Sequence, residues 1–130
     1  GRWVNLGALT TNSDLKNNYG TVRVTTEDGP VDTGQIKVGC FLGDHVKTGI
    51  GTLLPTGCVV GAGSNLFGGV MSPLSVPPFS WGRGEAMEDY DIERFLETAQ
   101  RVMSRRGVEL TAGARTVLSE AWKRTRQDSP

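Results

Sequence analysis

Aliphatic residues recur every six positions between residues 36 and 71, and a small or β-branched residue follows four places behind each one. Cut from Ile36, the hexads read IKVGCF, LGDHVK, TGIGTL, LPTGCV, VGAGSN and LFGGVM. A period of six matches neither the 3.6-residue helix nor the two-residue strand. It predicts a coil that turns a corner every six residues, with the first and fifth residues of each hexad facing a core. Glycine at the second position, as in Gly43 and Gly61, is expected to adopt the turn conformation that other residues resist.

Three hexads make one triangular coil of 18 residues, so residues 18 apart are expected to stack. The expected stacks are Leu42 over Val60, Thr48 over Leu66, and Cys40 over Cys58. The pattern resembles the hexapeptide repeats of left-handed parallel β-helices, and a glycine-rich β-sandwich is the alternative. The same phase is found again at Leu6. The segment between, residues 12–35, breaks the register and is expected to be an inserted loop or hairpin with Asp28 and Gly29 at its tip.

The C-terminal part of the chain has helical spacing instead. Residues 89–106 carry one apolar face, with Asp89 or Asp91 as the N-cap and Gly107 as the stop. A second helix, with its own apolar stripe, is expected to start at Thr111. The two stripes predict a helical hairpin whose apolar faces need partners.

Composition changes between these two parts. Sixteen of the 18 glycines lie in residues 1–84, and 17 of the 28 charged residues lie in residues 85–130. We therefore expect a mainly β protein in three regions. These are a left-handed β-helix over 1–72 with its inserted loop 12–35, an extended linker over 73–88, and an α-helical hairpin over 89–130.

Charge and hydropathy exclude several classes of function. The formal net charge is zero, which argues against a non-specific nucleic-acid binder. No apolar run reaches the roughly 18 residues of a membrane span. The first residues, GRWVNLGA, lack a signal-peptide pattern and a starting Met, so we expect a fragment or a processed product. Two cysteines make no disulfide framework, which favours a cytoplasmic, reducing compartment.

Few side chains offer reactive chemistry. His45, the only histidine, lies beside Asp44 and is the candidate general base for deprotonating an amine; the alternatives are a contact to coenzyme A and a solvated or interface turn residue. One histidine argues against the three-histidine zinc site of β-helical carbonic anhydrases, so no metal ligand is expected. Cys40 and Cys58 are expected to be buried thiols that pack as small hydrophobic groups, with a redox pair as the alternative.

Longer strings carry a family resemblance. NLGALTTNSDLKNNYGTVRV, FLGDHVKTGIGTLLPTGCVVGAGSNLFGG and PPFSWG resemble the C-terminal half of bacterial sugar nucleotidyltransferases related to the bifunctional N-acetylglucosamine-1-phosphate uridyltransferase/glucosamine-1-phosphate acetyltransferase. In that family an N-terminal α/β domain transfers a nucleotide, and a C-terminal β-helix transfers an acetyl group from acetyl-CoA to an amino-sugar phosphate. The β-helices form trimers, and acetyl-CoA lies between neighbours. The nucleotidyltransferase domain, which would use magnesium, is absent here, and the general-base histidine of the family is expected to fall before Gly1.

The resemblance implies a partial acetyltransferase site. Leu9 stands where the family has glycine. His45 is the catalytic candidate from the residues themselves, while a sugar phosphate would meet Asn5, Asn12 and Lys16, and acetyl-CoA would meet Ala8, Ser13 and Ser64. We expect a homotrimeric, acyltransferase-like module of a sugar-1-phosphate nucleotidyltransferase that binds neither nucleic acid nor membrane. The alternative is a non-catalytic trimerisation scaffold or a regulatory module.

Overall fold

Short strands and two helices make up the computed structural model, which describes residues 1–127. The strands are β1 (Asn5–Leu6), β2 (Thr11–Asn12), β3 (Arg23–Thr26), β4 (Gly29–Asp32), β5 (Phe41–Leu42), β6 (Lys47–Thr48), β7 (Leu53–Leu54), β8 (Val59–Val60), β9 (Asn65–Leu66), β10 (Ser75–Val76), β11 (Ser80–Arg83) and β12 (Ala86–Asp89). The helices are α1 (Ile92–Ser104) and α2 (Ala112–Gln127).

Successive two-residue strands belong to three different sheets, and each sheet pairs strands in parallel. Sheet A has the order β1-β6-β9-β11, with β12 added antiparallel to β11; sheet B has the order β10-β8-β5; sheet C pairs β2 with β7. Leu42 lies opposite Val60 and Thr48 lies opposite Leu66, so these two predicted stacks are confirmed. The left-handed winding of the coil stays a prediction.

The first and fifth hexad positions form the core. Its buried members occupy one or the other of these two positions, and one further valine comes from β10. They are Val46, Leu54, Cys58, Val60, Leu66 and Val76. Burying a side chain of the size of Val or Leu contributes about 1.5–3 kcal/mol relative to leaving it in water. The hexad pattern therefore predicted which residues between positions 36 and 71 form the core.

The corners are built differently from the expectation. The left-handed backbone falls at the fourth hexad position, where φ is 64° at His45, 74° at Gly51 and 76° at Gly63. The expectation that second-position glycines supply this conformation is wrong. These glycines let stacked coils approach each other: a Cβ on Gly43 would lie 2.6 Å from the backbone nitrogen of Ala62.

The inserted segment is a hairpin. β3 and β4 pair antiparallel with Val24 opposite Val31, so the predicted hairpin is confirmed. Its turn is made by Glu27 and Asp28, one residue before the predicted tip, because Gly29 already belongs to β4. Val22, at its base, is fully buried, and its backbone N–H donates to Gln35 O at 2.8 Å. The insertion increases the sequence separation between stacked strands beyond 18 residues, so that Asn5 on β1 pairs with Lys47 on β6.

Residues 73–88, expected to be an extended linker, continue the coil. β10 pairs with β8, and β11 places Trp81 opposite Asn65. The spacing between paired residues falls from 18 to 16 there, for example between Val59 and Ser75. This change of spacing, together with the prolines, hid the last turn from the hexad pattern.

The two predicted helices are confirmed. Asp91 caps α1, since its carboxylate accepts the N–H of Arg94 at 3.0 Å, and Gly107 follows the helix at φ 69°. The hydroxyl of Thr111 accepts the N–H of Ala114 at 3.1 Å and starts α2. The last three residues of the predicted hairpin lie outside the described range. Neither helix is long and apolar enough to cross a membrane within the residues the structure describes.

Aromatic side chains dock the hairpin on the coil. Phe79, Tyr90, Phe95 and Leu96 are buried together at one corner, and Trp122 of α2 packs against them. The rings of Phe79 and Phe95 meet edge to face with centroids 5.1 Å apart. One face of α1 packs in this cluster, and an adjacent face of the helix lies beside sheet A.

Candidate functional site

A cavity of about 540 Å³ lies between sheet A and the C-terminal end of α1. Its strand-side wall includes Asn5 and Lys47, which are register partners on β1 and β6. Its helix wall includes Thr98 and Val102, which lie four residues apart and therefore share one helical face. We call this cavity the basic cleft, and its lining is Trp3, Val4, Asn5, Lys47, Thr98, Val102, Arg105 and Arg106.

Lys47 is fixed in the floor of the basic cleft. Its Nζ donates to the backbone carbonyl of Trp3 at 2.6 Å and to that of His45 at 3.1 Å. Among residues 1–127 no carboxylate lies within 4 Å of this ammonium. Burial lowers the pKa of Lys47 from its usual value. A half-buried cation is thus held by neutral acceptors alone.

The site residues predicted from the sequence do not include Lys47, Arg105 or Arg106. A signal for Lys47 was present, because it is the one charged residue between His45 and Arg83. In the sequence, the two arginines indicate only the C-terminal end of a helix, where basic residues are common. Nothing in the local pattern indicates that strand and helix bring these cations together.

His45 lies under α1. Only 7% of its surface is exposed, and its ring meets the ring of Phe95 edge to face with centroids 5.5 Å apart. Its Nδ1 is buried and has no hydrogen-bond partner in the described part of the chain. Burial is the main cause of a lowered pKa at His45; the positive charge of Lys47 adds to the shift and Asp44 opposes it. The surroundings of His45 therefore favour the neutral form of the imidazole.

The expected partnership of Asp44 with His45 is not formed. The Asp44 carboxylate instead accepts the backbone N–H of Arg2 at 2.7 Å. His45 is a turn residue, as the alternative to catalysis held, but helix α1 covers it rather than solvent. Its role as a general base stays a prediction, and the structure gives it no exposed route to a substrate within one chain.

The predicted substrate residues do not share one cavity. Asn5 lines the basic cleft, whereas Asn12 lies on sheet C and its side-chain amide donates to Ser13 O at 3.1 Å. Lys16 lies at the base of the inserted segment, and its Nζ donates to Thr21 O at 3.0 Å. Asn5 is thus separated from the other two.

The predicted acetyl-CoA residues divide into exposed and buried positions. Ala8 is exposed on the corner after β1, and its carbonyl accepts the N–H of Gly51 at 2.9 Å. Ser13 is also exposed, and its hydroxyl lies 2.7 Å from that of Thr56.

Ser64 was expected to contact acetyl-CoA, but the structure buries it. It is fully buried: its hydroxyl donates to Pro77 O at 3.0 Å and accepts the N–H of Ser80 at 3.2 Å. As the fifth residue of its hexad it faces the core, so it cannot border a groove. Its role is to hold the last turn of the coil.

A second cavity, of about 390 Å³, adjoins the basic cleft. Both cavities include Thr98, so together they follow α1 along sheet A. The second cavity is lined by Trp81, Glu88, Asp89, Tyr90, Asp91, Arg94, Glu97, Thr98 and Arg101. The two cavities together form a groove along α1, with a basic end at the basic cleft and an end of mixed charge at the second cavity.

The cysteines are free and belong to the core. Cys58 is buried, and Cys40 packs against the cluster that contains it. Burial raises the pKa of Cys58 to about 12 and also raises the pKa of Cys40. The prediction of a buried thiol is confirmed for Cys58, whereas Cys40 is only partly buried. No group of three His, Cys, Asp or Glu side chains suited to a metal ion is present within the described 127 residues.

Comparison with known proteins gives a partial relative. No protein-family model matches the chain. It is 32% identical over 68 residues to a bifunctional sugar-1-phosphate nucleotidylyltransferase/acetyltransferase of Sulfurisphaera tokodaii. The match covers 52% of this chain and 17% of that protein. This similarity supports the family resemblance of the sequence strings at the level of sugar nucleotidyltransferases and acetyltransferases.

Proposed function

We propose that this chain is the acyltransferase-like module of a sugar-1-phosphate nucleotidyltransferase, and that it transfers an acetyl group from acetyl-CoA to an amino-sugar phosphate. The observation that carries the proposal is the exposure of the NLGAL string on a coil of stacked hexads. Asn5 and Ala8 of that string are exposed, as the resemblance requires of residues that meet ligands. The name of the relative supports the same chemistry.

We further infer that the coil winds left-handed and that three copies associate through sheets B and C. Helix α1 covers part of sheet A, whereas sheets B and C and the adjoining corner expose large apolar side chains. Leu9 is 80% exposed and Ile50 is 70% exposed, and the others are Phe41, Leu53, Met71 and Leu74. An apolar surface of this kind marks an interface more often than a surface that stays in water. Acetyl-CoA would lie between neighbours, beside Ala8.

The chemistry requires a base. The amine of the sugar must lose a proton before its lone pair attacks the thioester carbonyl, and coenzyme A then leaves as the thiol. His45 is covered by α1, so we assign this base not to His45 but to the general-base histidine that the resemblance implies upstream of the NLGAL string. Asn5 would position the sugar phosphate, and the small side chain of Ala8 would leave room for the co-substrate.

A non-catalytic trimerisation scaffold is the second candidate. The burial of His45 and Ser64 supports this candidate, because both side chains lie among the buried residues of the single chain rather than on its surface. On this hypothesis the apolar faces still assemble three chains. The attached nucleotidyltransferase domain would then carry all the chemistry.

Calorimetric titration with acetyl-CoA, combined with the mass of the assembly in solution, separates these functions. A trimer that binds acetyl-CoA, and that loses binding on Ala8→Trp but not on Thr25→Trp in the exposed hairpin, supports the acyltransferase module. A trimer that binds nothing at millimolar acetyl-CoA supports the scaffold. A monomer contradicts both.

A further inference from the structure

We propose that the basic cleft binds the phosphate group of a small phosphorylated ligand. Three cations, Lys47, Arg105 and Arg106, line one cavity of about 540 Å³, and no acidic residue among positions 1–127 lines it. This proposal rests on Lys47 and α1, neither of which the acetyl-transfer proposal uses. Asn5 alone belongs to both.

The position of Lys47 is the strongest argument. A half-buried ammonium loses part of its hydration, which costs free energy. An anion beside the ammonium lowers this desolvation cost. The two carbonyls that hold Nζ use two of its three protons, at 2.6 and 3.1 Å. The third proton is available to an acceptor in the cleft, and the two fixed bonds hold the ammonium in place for it.

The arginines come from the opposite wall. The helix dipole attracts basic residues to a C-terminus, which by itself would account for Arg105 and Arg106. It does not account for Lys47, which lies on a strand. The end of α1 is also fixed: Arg106 N donates to Met103 O at 3.0 Å and Val108 N to the same carbonyl at 3.1 Å. Neither guanidinium pairs with a carboxylate in the portion of the chain described.

The donor set suits phosphate. An ammonium, two guanidinium groups and the Asn5 amide offer only or mainly N–H donors, and phosphate oxygens are strong acceptors that arginine can bind in pairs. The cavity is larger than a phosphate group. The second cavity, which shares Thr98 with the basic cleft and is also lined by Trp81, would leave room for the rest of the ligand.

A small molecule fits better than nucleic acid. The adjoining cavity is lined by four carboxylates, from Glu88, Asp89, Asp91 and Glu97. A polyanion running along α1 would meet these charges as soon as it left the basic cleft. The formal net charge of zero likewise offers a polyanion no long-range attraction.

The test is calorimetric titration of the 130-residue chain at low salt with pyrophosphate and with glucose 1-phosphate. The double variant Arg105→Gln/Arg106→Gln removes two charged donors. It should bind at least one of these probes more weakly by roughly tenfold or more. Lys47→Met, which keeps most of the apolar stem, should weaken binding similarly. The matched control is Arg23→Gln/Arg124→Gln, which removes two exposed arginines elsewhere and should leave affinity within about twofold.

Several results would overturn the proposal. These are no binding of either probe at millimolar concentration, equal loss in the control pair, or tighter binding of a single-stranded oligonucleotide than of pyrophosphate. The arginine pair is exposed, so its variant tests the cleft even if Lys47→Met unfolds. Ala8→Trp should leave pyrophosphate binding unchanged, so failure of acetyl-CoA binding and failure of this proposal are distinguishable.

Discussion

The imidazole of His45 meets the ring of Phe95 edge to face, with centroids 5.5 Å apart. This contact joins a corner of the coil to the first helix across 50 residues of sequence. It buries the only histidine, and it places α1 where its far end can form one wall of the basic cleft.

Burial of His45 makes stability depend on pH. Because burial lowers its pKa in the folded state, the unfolded chain binds a proton more readily. The contribution of His45 to stability is therefore fully present above about pH 6.5, the ordinary histidine value, and is lost as pH falls towards the lower folded value. Urea unfolding at a series of pH values should show this slope in the native chain.

The His45→Asn variant is the control, since asparagine also tolerates the left-handed backbone found at this corner. It should lack the part of the slope that histidine contributes. An NMR titration that placed the His45 pKa at or above its ordinary value would contradict the prediction.

Ser64→Ala should destabilise the fold. The change leaves the N–H of Ser80 without its partner, while Pro77 O keeps the hydroxyl of Ser80 at 2.6 Å. An unsatisfied buried donor costs about 1–3 kcal/mol. Urea denaturation measures the loss, and Ser75→Ala, on an exposed strand position, serves as the control. Equal stability of the two variants would show that the Ser64 hydroxyl does not hold the last coil.

Charges on sheet C should dissociate the proposed trimer. Leu53 and Met71 form a parallel bridge and are both exposed. Leu53→Glu/Met71→Glu would place six carboxylates in the interface of a trimer, where burial of unpaired charge is costly. Sedimentation should then report a folded monomer, whereas Thr25→Glu in the hairpin keeps the native mass. A double variant of unchanged mass would place the interface elsewhere.

Trp122→Phe should loosen the helical hairpin. The indole N–H of Trp122 donates to Tyr90 O at 2.8 Å, and the Arg126 guanidinium lies over the indole at 5.4 Å. Phenylalanine keeps most of the packing but loses the hydrogen bond, at a cost of about 1 kcal/mol. Hydrogen exchange of α2 amides should accelerate more than in Val117→Ala, on an exposed face of the same helix. Equal exchange in both would show that the bond does not anchor α2.

The hexad pattern and the helix signals predicted most of the local structure. They placed Leu54 and Val60 in the core, paired Leu42 with Val60, and offered Asp91, beside Asp89, as the cap of α1. These predictions succeeded because each depends on residues in one coil, in two successive coils or in one helical turn. The glycine corners were assigned to the wrong hexad position, since close approach and left-handed backbone both favour glycine and a sequence does not separate them.

The repeat, the core positions, the hairpin and the two helices follow from the amino-acid sequence, because neighbouring residues carry the periodic pattern of burial. The three-dimensional packing alone shows that residues 73–88 complete the coil, that α1 covers His45, and that Lys47 lines one cavity with Arg105 and Arg106. Those outcomes depend on where aromatic packing seats α1 on the coil. The cations come from segments almost 60 residues apart, and no local spacing records the distance between them.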